Sequence, residues 1–231
     1  GQVAVSGEVL RAAKKLKLLH KWGVGYDNLD IATAKELGIK VARTTGSNAV
    51  PVAEFALGLT LSALRFIGYG HAELKKGNWA TGKLPGDTYM LSGKPVGIIG
   101  FGAIGQSFAR LLKGFGCTIL YNKRTPLPAE EEAALGAQKA DVVSLHCPLT
   151  PETTNLIDAA ALKAMKATAV LVNVARGGVV NEADLAAALR AREIAGAAMD
   201  VYSIEPLPPE SELLTLDNLV VTPHLAAMAA E

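Results

Sequence analysis

The stretch Pro95-Val96-Gly97-Ile98-Ile99-Gly100-Phe101-Gly102-Ala103-Ile104-Gly105 decides how this chain is read. A short apolar run, Val96–Ile99, meets three glycines in G-x-G-x-x-G spacing, and an amphipathic stretch, Ala103–Leu112, follows at once. The spacing is weak evidence alone; a strand before it and a helix after it give it meaning. Gly100 permits the tight turn, Gly102 lets the backbone approach a pyrophosphate, and Gly105 lets the helix pack close to the strand. Ala103 and Ile104 open the helix, where free N–H groups and the positive end of the dipole favour an anion. The segment reads as a dinucleotide-binding strand–turn–helix rather than a Gly-rich turn without a ligand.

The same rhythm continues outward. Thr118–Tyr121, Asp141–His146, Ala169–Asn173, Gly196–Asp200 and Leu219–Thr222 read as strands; Ala129–Leu135, Ala159–Lys166 and Glu182–Ala191 read as helices. Such alternation predicts α/β architecture with a doubly wound parallel sheet. Before Pro95 the pattern changes. Leu16–Leu19 and Ile39–Ala42 read as strands around a helix at Ile31–Leu37, Val50–Arg65 as a long apolar helix, and Lys75–Lys94 as an extended arm. Two domains are expected. Residues 1–47 form a smaller domain, 48–223 a dinucleotide-binding domain with the linking helix and arm, and 224–231 begin a return to the first. Helix Ala129–Leu135 runs almost directly into strand Asp141–His146, where a doubly wound sheet normally has a further strand and helix. We expect that unit to be absent between Ala137 and Gln138.

Composition narrows the function classes. Of 231 residues, 50% are hydrophobic and 19% charged, which excludes a disordered chain. A net charge of +1 with no Lys/Arg block argues against a nucleic-acid partner. The only cysteines, Cys117 and Cys147, form no CxxC, so neither a disulfide scaffold nor a metal site is expected, and a reducing cytoplasm fits. No apolar run reaches the roughly 18–20 residues of a membrane span. Gly1–Leu10 carries no secretion signal, although the chain opens on Gly1 rather than Met.

The residue ending the second strand of such a fold meets the adenine ribose, and an acid there selects NAD. This chain has Asn122, then Lys123 and Arg124. Two cations and no carboxylate suit a 2′-phosphate, so NADP(H) is favoured over NAD(H); the alternative is a pair of solvated loop charges. Three charged residues follow later strands: Arg176 in NVARGG, Glu205 in DVYSIEP and His224 in TPH. Parallel α/β sheets place ligands at the carboxyl ends of their strands. An arginine there can clamp a carboxylate, a histidine can exchange a proton near neutrality, and a glutamate can orient the ring and favour its charged form. In isolation each also reads as a surface ion or a cap. His20 stands beside a glycine loop, His146 ends a strand, and His71 lies on a polar helix face; none competes well with His224 as acid/base.

GVGYDNLD, GFGAIG, HCPLTPETTNLI, NVARGGVVNEADL, DVYSIEPLP and TPH together resemble the D-isomer-specific 2-hydroxyacid dehydrogenase family, from about Leu16 to His224. The resemblance implies a Rossmann cofactor domain and a smaller flavodoxin-like substrate domain, incomplete here, with the active site in the cleft. It implies hydride transfer between NAD(P)(H) and a D-2-hydroxy acid or 2-keto acid. Arg176 would bind the substrate carboxylate and carbonyl, Glu205 would pair with His224, and His224 would be the general acid/base. The amides of Val24 and Gly25 would hold the carboxylate, with Asn48 near substrate and cofactor. His146, Cys147, Pro148, Thr153, Val174, Ala175 and Asp200 would border the cofactor, Asp200 beside the nicotinamide carboxamide. It also implies a homodimer, contacting through Val50–Leu64 and the arm with Trp79. Lys21, Trp22 and Met90 are candidates for the side-chain pocket. Family members of about 300 residues or more lead us to expect a first strand and helix before Gly1 and a final helix starting at Ala226–Glu231. Two other readings share the architecture. One is formate dehydrogenase, which Glu205 disfavours because those proteins carry glutamine there; the other is a non-enzymatic dinucleotide sensor of the corepressor type.

The basic pair gives the first prediction. Arg124→Ala is expected to lower the preference for NADPH over NADH, measured as the ratio of the two kcat/KM values. An unchanged ratio would refute the assignment.

Overall fold

The computed structural model describes residues 3–122 and 140–229. The chain divides into two compact units, Gly1–Ala49 and Val50–Glu231.

The first unit runs α1 (Gly7–Ala12), β1 (Leu18–Lys21), α2 (Ile31–Glu36) and β2 (Lys40–Arg43). The strands are parallel, Leu18 opposite Lys40 and Lys21 opposite Arg43, and a small core joins Leu10, Ala34 and Ile39. Helix α1 is not visible in the apolar pattern: it is one and a half turns long and begins with glycine, a poor helix former. Two local features make it. Ser6 caps it, accepting the Val9 N–H at 3.4 Å. Gly7 has no Cβ, which would lie 2.7 Å from Asp30 Oδ2, so α1 can settle on the start of α2. The first strand begins at Leu18 rather than Leu16, because Leu16 donates its N–H to Ala13 in the turn leaving α1.

The second unit contains α3 (Ala49–Arg65, whose first residue closes the first unit), α4 (Ile67–Lys75), β3 (Pro95–Ile99), α5 (Ala103–Lys113), β4 (Thr118–Asn122), β5 (Val142–Leu145), α6 (Ala159–Ala164), β6 (Val170–Asn173), α7 (Glu182–Arg190), β7 (Gly196–Met199) and β8 (Leu219–Val221). Among the described residues, six strands form one sheet in the order β4-β3-β5-β6-β7-β8, every pair parallel. This is the doubly wound Rossmann-type sheet. Alternate residues face opposite layers, as the twofold period of a strand requires. Val96, Ile98, Val142, Val170 and Val172 pack with Val52, Ala56 and Leu59 of α3 and with Phe108 and Leu112 of α5. Val143, Leu145, Leu171 and Met199 pack with Leu162 of α6 and Leu185 and Leu189 of α7. Strands β5, β6 and β7 are buried along their whole length, which explains why their sequences are apolar but for Ser144 and Asn173.

Helices α3 and α4 meet at 68°, around Phe66 in the left-handed region (φ 53°). No single helix among the described residues is long and apolar enough to cross a membrane. Residues 76–94 hold neither helix nor strand, and Trp79 and Met90 in this arm are exposed. The helix expected from Ala226 is absent over Ala226–Ala229. There the chain turns instead, Met228 donating to the Leu225 carbonyl at 2.8 Å and the Ala226 N–H bonding the Asp200 carboxylate at 2.9 Å. The expected helix Ala129–Leu135 and the Ala137–Gln138 junction lie outside the described residues.

Candidate active site

The hydrogen-bond register lines up the strand ends. Asn122, Ile99, Leu145, Asn173, Met199 and Val221 stand opposite one another in a single row across the sheet. Five gaps of about 4.8 Å make this edge about 24 Å wide. The residues that follow are Gly100, His146, Val174, Asp200 and Thr222, so every motif named from the sequence of this unit leaves from one edge. Winding reverses between β3 and β5, which is where open α/β sheets have their crevice.

Gly100 and Gly105 are forced at that crevice. Gly100 has φ +94°, and a Cβ there would lie 2.5 Å from Cys147 N and His146 C. A Cβ on Gly105 would overlap the Gly100 carbonyl oxygen. Gly102 differs: nothing stands within 4 Å of where its Cβ would be. The turn is therefore closed on its inner side and open on its outer side. Helix α5 begins there with no side-chain cap, so its first N–H groups face that opening. This arrangement fits a dinucleotide pyrophosphate, with the amides of Gly102, Ala103 and Ile104 as its donors. Asn122 adjoins the turn, its carbonyl accepting the Gly100 N–H at 3.0 Å. Lys123 and Arg124 lie outside the described residues.

At the far end of the edge, His224 Nδ1 is 2.7 Å from Glu205 Oε2. The other carboxylate oxygen accepts the Tyr202 N–H at 3.0 Å, which fixes the carboxylate plane. The two side chains are 30% and 23% exposed, so solvent reaches the pair without flooding it. Arg176 is extended, half-buried, and donates from Nη1 to the Ala175 carbonyl at 2.8 Å. Buried Asn173 shapes its loop, accepting the Ala175 N–H at 3.0 Å and donating to the Arg176 carbonyl at 2.8 Å. Gly177 then presses on the chain before Glu205; a Cβ there would overlap the Tyr202 carbonyl. The Arg176 loop and the Glu205–His224 pair thus share a contact.

Other expected residues sit as follows. Val174, Ala175 and Cys147 are buried, and burial pushes the Cys147 thiol pKa up. Pro148 is exposed, and its carbonyl accepts the Thr153 hydroxyl at 2.7 Å. Val24, Gly25 and Asn48 belong to the first unit. There Arg43 braces the glycine loop, donating to the Val24 carbonyl at 3.0 Å and lying 4.7 Å from the centre of the Tyr26 ring. Asn48 Oδ1 is buried and has no hydrogen-bond partner among the described residues. His20 meets the Thr44 hydroxyl at 3.3 Å, and His71 is exposed on α4.

The family model described as "D-isomer specific 2-hydroxyacid dehydrogenase, NAD binding domain" matches residues 57–226. The chain belongs to this family. It is 39% identical over 240 residues to a D-3-phosphoglycerate dehydrogenase of Archaeoglobus fulgidus, covering 100% of this chain and 45% of that protein. It is 39% identical to a hydroxypyruvate reductase of Thermotoga maritima, covering 98% of this chain and 76% of that one. Among solved structures, the NADPH-dependent glyoxylate/hydroxypyruvate reductase of Sinorhizobium meliloti, in complex with NADP and malonate, superimposes with a TM-score of 0.90 at 34% identity, covering 99% of this chain and 73% of that one. The chain thus spans under half of the first relative and about three quarters of the others.

Within this family frame, Asn173, Tyr202 and Thr222 were missed as parts of the site. Asn173 and Tyr202 are polar residues at or just beyond the ends of buried strands, where they must find partners, and half-buried Thr222 follows the half-buried β8. That signal was available for Asn173, which closes the otherwise apolar run Val170–Asn173.

His146 has a different character. Its Nε2 lies 2.9 Å from the Ser144 hydroxyl, its ring centre 5.3 Å from that of Phe108, and its Nδ1 is buried with no partner among the described residues. Burial drives its pKa from 6.5 down to about 3. Below pH 6.5 the unfolded chain therefore takes up a proton that the folded ring refuses. This contribution to stability is complete above pH 6.5 and declines as pH falls toward 3. Denaturant unfolding at pH 7 and pH 4.5 should show a smaller acid loss in His146→Phe than in the parent protein; equal losses would refute the enclosure of the ring.

Proposed function

We propose that the chain is the nucleotide-binding part, with some of the substrate-binding part, of an NAD(P)-dependent oxidoreductase. It interconverts a D-2-hydroxy acid and its 2-keto acid. The observation that carries this reading is the 2.7 Å Glu205–His224 pair, at the same sheet edge as the glycine turn. The glycine turn and the start of α5 would hold the dinucleotide, whose nicotinamide would supply or accept the hydride exchanged at C2 of the substrate. In reduction, His224 gives its proton from Nε2 to the carbonyl oxygen, while Glu205 on Nδ1 holds the ring in place. Arg176 pairs with the substrate carboxylate and carbonyl and so selects the face that is attacked. Val24, Gly25 and Asn48 stay assigned to the substrate. His146, Cys147, Pro148, Thr153, Val174 and Ala175 stay assigned to the cofactor's surroundings. NADP(H) is favoured on the absence of an acid at Asn122 and the charges of Lys123 and Arg124. We also propose a cytoplasmic homodimer, with domains at 1–47 and 48–223 and residues 224–231 leading back.

The family match favours an enzyme over a non-enzymatic sensor, and Glu205 favours a hydroxyacid over formate. A panel of glyoxylate, hydroxypyruvate and pyruvate with NADPH and NADH tests this reading; tight nucleotide binding with no turnover would overturn it. His224→Ala should lower kcat by about 10²–10⁴-fold, the usual worth of a general acid, and leave the nucleotide Kd nearly unchanged. Parental turnover in that variant would remove the acid/base role. Glu205→Gln, which keeps the side chain's shape but removes the carboxylate from His224 Nδ1, should lower kcat and leave the nucleotide Kd nearly unchanged; a parental kcat would separate the pair's contact from its chemistry.

A further inference from the structure

In the first unit, strand β1 ends at Lys21, and residues 22–27 leave it as a loop with glycine at 23 and 25. The loop is fastened at its base, where Lys21 Nζ donates to Asn28 Oδ1 at 3.1 Å. Within it Val24 and Gly25 are half-buried, and their N–H groups meet no acceptor among the described residues. Two neighbouring amides left open in this way can donate to an anion.

Arg43 closes strand β2 and stands opposite Lys21 in the ladder. Its Nη1 donates to the Val24 carbonyl at 3.0 Å, and its guanidinium carbon lies 4.7 Å from the centre of the Tyr26 ring. The Val24 carbonyl and the Gly25 N–H belong to one peptide unit. That unit is planar and trans, so the two groups point in opposite directions. A carbonyl turned toward Arg43 therefore turns the Gly25 N–H away from it. Glycine makes this orientation hard to keep: a flipped peptide needs a large change of φ at the residue that follows, and glycine accepts positive and negative φ alike. The flip would aim an N–H at the guanidinium, a repulsive contact, and would present a carbonyl where the N–H had been. Arg43 opposes it on both counts.

We infer that Arg43 is a positioning residue for substrate binding: it holds the Val24 carbonyl, and through the shared peptide plane it aims the Gly25 N–H at the substrate carboxylate. The inference deepens the proposed function and rests on it for the part that Val24 and Gly25 play. The cation also polarises the peptide whose oxygen it holds, which makes the Gly25 N–H a better donor. The Tyr26 ring steadies the guanidinium through its electron-rich face. Arg43 thus acts through the peptide rather than on the substrate.

The experiment compares Arg43→Met, Arg43→Lys and Tyr26→Leu with the parent. Turnover of glyoxylate and hydroxypyruvate with NADPH and with NADH gives kcat and KM, and nucleotide titration gives Kd. Protein labelled with 13C at valine carbonyls and 15N at glycine amides gives a second measurement by NMR. Only Val24-Gly25 and Val96-Gly97 are Val-Gly pairs in this sequence, so two signals appear, and the second, from β3, is the internal control. Arg43→Met should raise KM about five- to tenfold, the worth of one hydrogen bond, and keep kcat and the nucleotide Kd within about twofold. It should also move the Val24-Gly25 signal and leave the Val96-Gly97 signal in place. Arg43→Lys retains a cationic donor and should bring KM and the signal back toward the parent. Tyr26→Leu should move both in the direction of Arg43→Met, by less. The inference is overturned if Arg43→Met leaves KM within about twofold of the parent. It is overturned equally if KM rises while the Val24-Gly25 signal stays in place, because Arg43 then acts on the substrate directly. If Arg43→Met does not fold, Tyr26→Leu decides by the same two measurements, and parental values in both overturn the inference. If the parent turns over no 2-keto acid, the proposed function fails, and the signal alone judges the inference: an unmoved Val24-Gly25 signal in Arg43→Met overturns it, a moved one supports it.

Discussion

Everything at the candidate site depends on parallel strand register. Five ladders align Asn122, Ile99, Leu145, Asn173, Met199 and Val221 in one row, and each loop that bears a functional residue starts one position later. Side chains alternate with a period of two, so a one-residue slip in any strand would exchange its inward and outward faces. For β7 it would put Asp200 where Met199 packs among Leu185, Leu189 and Ile194. The apolar layers on both sides of the sheet fix the register, and the register fixes the chemistry.

At this edge the core gives way to buried polar residues that partner one another. Asn173 closes the loop of Arg176, and Asp200 closes the turn of His224. The Tyr202 hydroxyl reaches the carbonyls of Met199 and Thr222, at 3.0 and 3.1 Å, and ties the end of β7 to the residue after β8. Burial is the first cause that pushes its pKa up to about 12, so the phenol stays a donor across the pH range in which the protein works. Such groups stabilise only when satisfied, and a single loss leaves its partners stranded. The site is thus stiff where side chains must be held within tenths of an ångström.

Much of this was legible in the sequence because the signals were local. The strand–glycine–helix order of Pro95–Lys113 carries its own geometry, and the apolar runs of β5 to β7 announce strands covered on both faces. Arg176, Glu205 and His224 were visible as charged residues just past strand ends. What stayed hidden depends on contacts distant in sequence. Nothing near Asp200 indicates that its partners are Thr222, Leu225 and Ala226, and nothing near Gly177 indicates that it abuts Tyr202. Helix α1 was hidden for the opposite reason, being too short and too glycine-led to show a period. At Ala226 the chain turns, and its N–H bonds a carboxylate 26 residues earlier, a pairing that the local sequence does not announce.

His224 sits in a left-handed conformation that costs a residue with a Cβ roughly 1–2 kcal/mol, and glycine almost nothing. Folding alone would therefore prefer a different residue at position 224. The imidazole is kept against the backbone's own preference, and the strand-end carboxylate offsets that conflict. Under the acid/base role proposed for His224, drift toward greater thermal stability at this position would run against activity.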